Sequence, residues 1–320
     1  MNRTAILVVL ICVILTACAG QATQLVVAPP ASIPTQTFPA LAYAALPTGT
    51  PKPKKYSPIT PAPTKTATAL STSRTQTPER DPEKWKVWPV IPDAIDPSLQ
   101  KVYERGLALG NDPRAFSIFG DCQARPADFF GVFETDSELL ESLSPELQEA
   151  VAYFEGSFNR DSPTAQDATT PGSLLWNQWH RGEYGCTFSE TPVECELRIH
   201  RPSFVIIQIG THFESRNTEY LRRIILQLMD AGVVPILATK ADNRENDERI
   251  NRDMAMLAAE YDLPLWNFWA ALSDLPDRGL YVMEGREGQG PVYLNAEAMM
   301  RHRMTGLEAL NAVWRAVTGK

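Results

Sequence analysis

The chain has 320 residues, with 30 Lys and Arg against 38 Asp and Glu, so its formal net charge is −8 at pH 7. Basic residues prevail near the N-terminus, and the acidity therefore belongs to the C-terminal part. An acidic domain argues against nucleic acid as a partner, because phosphates are bound by clustered Lys and Arg.

The first 17 residues are typical of an export signal. Arg3 supplies a positive charge, and residues 5–15 form an apolar run that is shorter than the roughly 20 residues needed to cross a bilayer. Leu15-Thr16-Ala17-Cys18 resembles the bacterial lipobox, in which the cysteine is acylated and becomes the mature N-terminus. We therefore expect a lipoprotein signal peptide over residues 1–17 and a lipid anchor on Cys18, held by more than one acyl chain.

Two alternatives stay open for this segment: an ordinary signal peptide that contains a cysteine, and an uncleaved N-terminal anchor. Both also place the domain outside the cytoplasm. The expected location is thus the cell membrane, with the membrane as a partner through the lipid and the domain facing outward.

A linker is predicted over residues 18–84, which are rich in Pro, Thr, Ala and Ser and lack any helical period or alternation. Such a segment buries too little apolar surface to offset its ordering entropy, and its prolines favour an extended spacer. About 60 residues span on the order of 45 Å as a coil. Residues 85–320 are long enough for one well-buried domain.

The five cysteines have different expected roles. Cys12 leaves with the signal peptide. Cys186 and Cys195 flank a short polar stretch, and in an exported protein this spacing predicts a disulfide that closes a surface loop. Two buried thiols are the alternative. Cys122 is then left unpaired.

Strands and helices alternate along the domain. Strands are predicted over residues 115–119, 204–209, 233–238 and 263–266, and helices over residues 97–109, 144–154, 218–230, 247–261 and 305–317. This alternation predicts an α/β fold, a three-layer sandwich with a central parallel sheet. Sites in such sheets lie beyond the carboxyl ends of the strands. The candidate site residues are therefore 120–122, 210–212 and 239–243, which follow three of the predicted strands.

These strand ends resemble the sequence blocks of the SGNH (GDSL-type) hydrolase family. Gly120-Asp121-Cys122 stands where the family has Gly-Asp-Ser, and Gly210-Thr211-His212 stands where it has Gly-Thr-Asn. Gly172 is placed as the second-block glycine by order alone. The resemblance covers about residue 115 to the C-terminus, and it implies an SGNH-hydrolase-like (flavodoxin-like) fold.

The resemblance also implies a substituted active site. In the family, a serine attacks an ester or acyl carbon, a glycine amide and an asparagine stabilise the oxyanion, and an Asp-x-x-His supplies the base. Here Cys122 occupies the nucleophile position, and Gly172 and His212 occupy the oxyanion-hole positions. The last block places Gly290 at the aspartate and Tyr293 at the histidine. Tyrosine is a poor base at neutral pH and glycine cannot orient it.

Two hypotheses follow. In the first, the domain no longer performs the family reaction and binds something instead. In the second, Cys122 is a nucleophile whose pKa is lowered by a helix dipole and by a nearby protonated His212. Cys122 as a small buried packing residue is a third alternative.

The other histidines suggest no further chemistry. His180 and His200 are expected at the surface, and His302 in a solvated basic turn before the last helix. No His, Asp or Glu residues have metal-ligand spacing, so neither a metal nor a cofactor is expected.

Two tryptophan pairs are three residues apart, Trp176 with Trp179 and Trp266 with Trp269. Helical spacing favours a core role, whereas exposed pairs would stack on sugar rings. We therefore expect a relative of acyl-ester hydrolases that acts on or binds an extracellular acylated glycan or lipid. The alternative is a non-catalytic binding or scaffold module of the cell envelope. The sequence does not indicate the oligomeric state.

Overall fold

A computed structural model describes residues 80–320, which belong to one compact unit. The predicted signal peptide, Cys18 and most of the predicted linker lie outside the described residues. Within residues 80–320, no helix combines the length and apolarity that a membrane span requires.

The centre of the domain is a parallel sheet, as predicted, and its strands have the order β1-β2-β3-β4. Its strands are β1 (Asp112–Gly120), β2 (Pro202–Gln208), β3 (Val234–Ala238) and β4 (Leu265–Trp266). Every residue of β2 and β3 is buried, which explains their nearly continuous apolar sequences. A small antiparallel hairpin pairs β5 (Leu280–Tyr281) with β6 (Tyr293–Leu294).

Helices cover both faces of this sheet. They are α1 (Ser98–Leu109), α2 (Val132–Thr135), α3 (Ser137–Ser142), α4 (Pro145–Tyr153), α5 (Pro171–Leu174), α6 (Pro192–Ile199), α7 (Asn217–Asp230), α8 (Arg249–Glu260), α9 (Phe268–Ala271) and α10 (Ala296–Thr318). Helices α1, α4 and α10 pack together, while α7 packs with α5 and α8. Ser144 caps α4 by accepting a hydrogen bond from the Leu147 amide, and Pro145 is the first helical residue.

The outer edge of β1 is covered by the segment that precedes α5. The Gly120 amide donates to the Thr164 carbonyl at 2.9 Å, and the Thr164 hydroxyl donates to the Ile118 carbonyl at 2.9 Å. Ala165 forms a parallel bridge with Gly120. Counted as a minimal strand, this segment completes the 2-1-3-4-5 order of flavodoxin-like sheets.

The chain enters the domain at the carboxyl end of β4. A 3-10 helix (Pro82–Val87) packs on α8. The buried Asn267 side chain donates hydrogen bonds to the carbonyls of Trp85 (2.8 Å) and Trp88 (3.1 Å). One side chain thus satisfies two carbonyls of the entering segment.

The predicted disulfide is present. Cys186 and Cys195 are joined, with their Cα atoms 5.3 Å apart, and Cys122 is a free cysteine.

The prediction for His302 was wrong. Helix α10 begins at Ala296 rather than near residue 305, and His302 lies inside it, fully buried. Its Nε2 is 2.6 Å from Gln208 Oε1, and its ring stacks on Phe129 and Trp266. Burial lowers the pKa of His302 to about 3, with a smaller contribution from Arg303. His302 is therefore a neutral core residue.

His180 and His200 are not surface residues either. His180 is buried, accepting from the Gly182 amide at 2.9 Å and donating to the Glu190 carbonyl at 2.8 Å. His200 is half-buried, and its Nε2 donates to the Phe116 carbonyl at 3.0 Å. Both rings form hydrogen bonds with buried backbone groups, which explains why they lie away from the surface.

The expectation of a core role held for one tryptophan pair only. Trp266 and Trp269 are buried, whereas Trp179 is half-buried and Trp176 is 51% exposed. Trp176 lies beyond the end of the short helix α5, so no helix turns its ring inward.

Candidate functional site

The ends of β1 and β2 lie directly side by side, with Gly120 paired to Gln208. A Cβ atom at Gly120 would lie 2.5 Å from the Gln208 carbonyl oxygen and 2.3 Å from the Ala124 side chain. Only glycine fits this close approach. The turn that carries Asp121 and Cys122 is therefore held tightly against the end of β2.

Asp121 connects this turn to the loop after β2. Its carboxylate is buried and accepts a hydrogen bond from the His212 amide at 3.4 Å. The His212 ring lies close by, with Nδ1 3.9 Å from Asp121 Oδ2. Within residues 80–320, Nδ1 has no hydrogen-bond partner, and no hydrogen bond joins His212 to Cys122. The proposed Cys-His pair is thus not formed, since His212 faces Asp121.

Cys122 does not have the lowered pKa that the helix-dipole argument predicted. The following helix is a three-residue 3-10 turn (Cys122–Ala124), too short for a substantial dipole. Burial raises the pKa of the Cys122 thiol to about 12, and the negative charges of Asp121 and Asp167 raise it further than Arg125 lowers it. At neutral pH the thiol is protonated, which makes it a weak nucleophile.

The amide of Gly172, the second-block candidate, is already occupied. It donates to Glu214 Oε1 at 2.5 Å, and a Cβ atom at Gly172 would lie 2.3 Å from that oxygen. Glu214 follows His212 by two positions, so the segment that contains Gly172 contacts the loop after β2. The donor expected to stabilise an oxyanion is bound instead to a carboxylate of the protein.

Tyr293, at the base position, is also engaged. Its hydroxyl donates to Gln289 Oε1 at 2.7 Å, and its ring packs against Tyr281 with centroids 5.8 Å apart. The first and last blocks are nevertheless neighbours, because Gln123 Nε2 donates to the Val292 carbonyl at 2.7 Å. All four blocks therefore converge at one edge of the sheet, but without a nucleophile–base pair.

A buried ion cluster at the end of β3 holds the loop after β2. The Lys240 ammonium donates to Asp242 Oδ1 at 2.7 Å and also to Glu245, and all three side chains are buried. Thr211 donates to Asp242 Oδ2 at 2.7 Å, and Arg244 donates to the Thr211 carbonyl at 3.3 Å. This cluster fixes the loop that carries His212 and Glu214.

Sequence reasoning missed Glu214 and the bridging role of Asp121. The available signal was that Asp121 directly follows β1 and that Glu214 lies in the loop after β2. In residues 80–320, no group of three or more His, Cys, Asp or Glu side chains is arranged to hold a metal ion.

The sequence comparisons and the structural comparison differ in outcome. No family model matches the sequence, and no curated protein matches it. Among solved structures, a GDSL-like lipase from Bacteroides thetaiotaomicron is similar with a TM-score of 0.37 and 11% identity. The match covers 66% of this chain and 96% of the lipase. An identity this low transfers no activity from the lipase to this chain.

Proposed function

We propose that this chain is a lipid-anchored, extracytoplasmic relative of SGNH hydrolases that binds an acylated glycan or lipid without hydrolysing it through Cys122. The contact between the Gly172 amide and the Glu214 carboxylate carries this proposal. Catalysis of acyl transfer requires donors that are free to receive a developing oxyanion, and a carboxylate at that donor repels the negative charge. The Gly172 amide is therefore not available as a donor to an oxyanion.

The state of the nucleophile position supports the same conclusion. A thiol whose pKa is raised to about 12 is almost entirely protonated at pH 7. Activation would need a base within hydrogen-bond reach, and the described residues supply none to Cys122. The Tyr293 hydroxyl instead donates a hydrogen bond to Gln289 Oε1.

Turnover and thiol reactivity test the non-catalytic proposal together. The full chain and its Cys122→Ala variant are incubated with p-nitrophenyl acetate and p-nitrophenyl butyrate, and iodoacetamide labelling of Cys122 is followed from about pH 6 to 11. We expect no turnover above the solvent rate and labelling that rises with pH without a plateau below about pH 11. Ester turnover that disappears in Cys122→Ala would overturn the proposal in favour of a thiol hydrolase.

The anchor is tested separately. Cells that express the full chain or Cys18→Ser are grown with an alkyne-labelled fatty acid, and Cys12→Ser serves as the matched control. We expect label in the full chain and in Cys12→Ser but not in Cys18→Ser. Equal labelling of all three chains would contradict acylation at Cys18.

A further inference from the structure

Asn217, the first residue of α7, carries an unsatisfied buried amide. It is only 3% exposed, yet neither Oδ1 nor Nδ2 has a hydrogen-bond partner within residues 80–320. Leaving both atoms of a buried amide unpaired costs stability, so such a residue requires an explanation. Asn251, near the start of α8, shows the usual solution: its amide pairs with both the amide and the carbonyl of Lys240.

Asn217 lies at the candidate site. It continues the buried stripe of α7 formed by Leu221, Ile224 and Leu228, so its side chain lies on the helix face that covers the sheet. Because α7 follows the loop from β2, Asn217 is the member of this stripe closest to the carboxyl edge. Its backbone amide donates to the carbonyl of Glu214 at 3.2 Å. Glu214 thus forms hydrogen bonds with both segments: its carboxylate accepts from the Gly172 amide, and its carbonyl accepts from the Asn217 amide.

The neighbouring helix α5 adds a second unpaired group. Thr169, just before α5, is fully buried, and its hydroxyl has no partner among the described residues. Helix α5 packs against α7 and carries Gly172. The junction of these helices therefore gathers hydrogen-bonding atoms that the described part of the chain does not satisfy.

An exposed aromatic ring follows the same helical turn. The Trp176 amide donates to the carbonyl of Ser173 at 3.1 Å, so Trp176 directly continues α5. Its ring is 51% exposed, although tryptophan has a large apolar surface to bury. The packed pair of helices α5 and α7 and their flanking residues thus carry both an exposed indole and unpaired amide and hydroxyl groups. Carbohydrate recognition uses these two elements, a flat apolar face for the sugar ring and hydrogen bonds for its hydroxyls.

We propose that the junction of α5 and α7 is a carbohydrate subsite, in which Asn217 binds a vicinal pair of sugar hydroxyls and Trp176 stacks on a sugar ring. This inference rests on the proposed binding function and selects the glycan over the lipid. One hydroxyl donates to Oδ1 and its neighbour accepts from Nδ2, which satisfies both atoms. An acyl chain would leave the amide unpaired. Because Asn217 is buried, binding requires the exposed residues just before it, Ser215 and Arg216, to move, while Glu214 stays on the Gly172 amide.

The test measures sugar binding and stability in the same variants. The full chain, in a detergent without a sugar headgroup, is titrated with cellotetraose, maltotetraose and N-acetylchitotetraose, by tryptophan fluorescence and calorimetry. We expect at least one sugar to bind and its affinity to fall about tenfold or more in Asn217→Leu and in Trp176→Ala. Phe188→Ala, which removes another exposed ring, is the control that keeps binding.

Thermal unfolding separates a binding role from a structural one. Asn217→Leu removes an unpaired amide, so its Tm should stay equal or rise, whereas Asn251→Leu breaks two formed hydrogen bonds and should lower Tm. A fall in Tm for Asn217→Leu as large as that for Asn251→Leu would assign Asn217 a structural role and overturn the subsite.

Two further outcomes distinguish this inference from the proposed function. No binding of any of the three sugars at about 10 mM, where even weak sites fill, refutes the subsite. If dihexanoylphosphatidylcholine binds in their place, the ligand is a lipid, and the proposed function stands without the subsite. Ester turnover through Cys122, measured on the same samples, would instead refute the proposed function whatever the sugars do.

Discussion

The side chain of Gln123 donates a hydrogen bond to the carbonyl of Val292 at 2.7 Å. This bond joins the turn after β1 to the β5–β6 hairpin, two segments far apart in the sequence. In and next to β5, Tyr281 and Val282 are both exposed. The contact holds the last block against the turn that contains Cys122.

Gln123→Ala should therefore make Cys122 more accessible, because the hairpin is no longer hydrogen-bonded to the turn that contains this residue. A net hydrogen bond is worth about 1 kcal/mol, which corresponds to about fivefold in the population of an open state. We expect iodoacetamide to label Cys122 about fivefold faster at pH 9 than in the unaltered chain. Gln289→Ala is the matched control, because it frees Tyr293 but leaves the bond between hairpin and turn. Equal rates for Gln123→Ala and the unaltered chain would show that the hairpin does not cover the thiol.

His302 should make the domain sensitive to acid. Its pKa is depressed to about 3, whereas the unfolded value is near 6.5, so the unfolded state binds more protons between these limits. The stability contributed by neutral His302 is present above about pH 6.5 and is lost as pH falls towards 3. By pH 5 the loss is about 2 kcal/mol.

His302→Gln removes this titration and keeps a group able to bond Gln208. The free energy of unfolding, measured by urea at pH 7 and pH 5, should fall by about 2 kcal/mol more in the unaltered chain than in His302→Gln. Other carboxylates titrate in both chains and cancel in the difference. The same pH dependence in both would rule out His302 as the source.

Gly306→Ala tests the packing of α10 against the rings of Phe129 and Trp266. A Cβ atom there would lie 2.7 Å from Phe129 Cζ and 2.9 Å from Trp266 Cη2. Overpacking costs about 1–3 kcal/mol, and the gain in helix propensity is at most about 1 kcal/mol. We expect a net loss of about 1 kcal/mol and a lower Tm. Gly288→Ala, with nothing within 4 Å of the added Cβ, should leave Tm unchanged. An unchanged Tm for both variants would contradict the tight packing.

The Cys186–Cys195 bond closes a short loop, at a sequence separation of 9. Loop-closure entropy gives about 2.5 kcal/mol for a crosslink of this span. The double variant Cys186→Ala/Cys195→Ala should lose about this much free energy of unfolding, measured in denaturant under oxidising conditions. Intact mass after alkylation of the unfolded, unreduced chain gives an independent check. Labelling at Cys186 and Cys195 would mean that they are not joined.

The order of strands and helices could be predicted because buried parallel strands and amphipathic helices have different apolar periods. Strand β2 and helix α7 were located within two residues at either end for this reason. The disulfide was predictable from the local spacing together with the expected export of the chain.

Helix α10 was missed at its start because local signals conflict there. Arg301 and Arg303 flank His302 and suggest a solvated turn, and Gly306 suggests a helix end. In the structure, His302, Gly306, Leu310 and Val313 form one buried stripe. Gly306 is present because two rings need the space that a side chain would fill, a tertiary requirement without a local signature.

The chemistry of the site could not be predicted because it depends on contacts between distant segments. The pKa of Cys122 is set mainly by burial, and the Gly172 amide is occupied by a residue 42 positions away. Sequence blocks indicated where the site lies. They gave no information about which donors were already paired.

The covered edge of β1 affects how copies of this chain can associate at high local concentration. An exposed strand edge offers unpaired amides and carbonyls to a second molecule and so promotes aggregation. Here Thr164 and His200 already occupy backbone groups along β1, while β4 at the opposite edge has only two residues. Neither edge provides a template on which another copy could add a strand. Neighbouring copies can therefore be concentrated without joining their sheets.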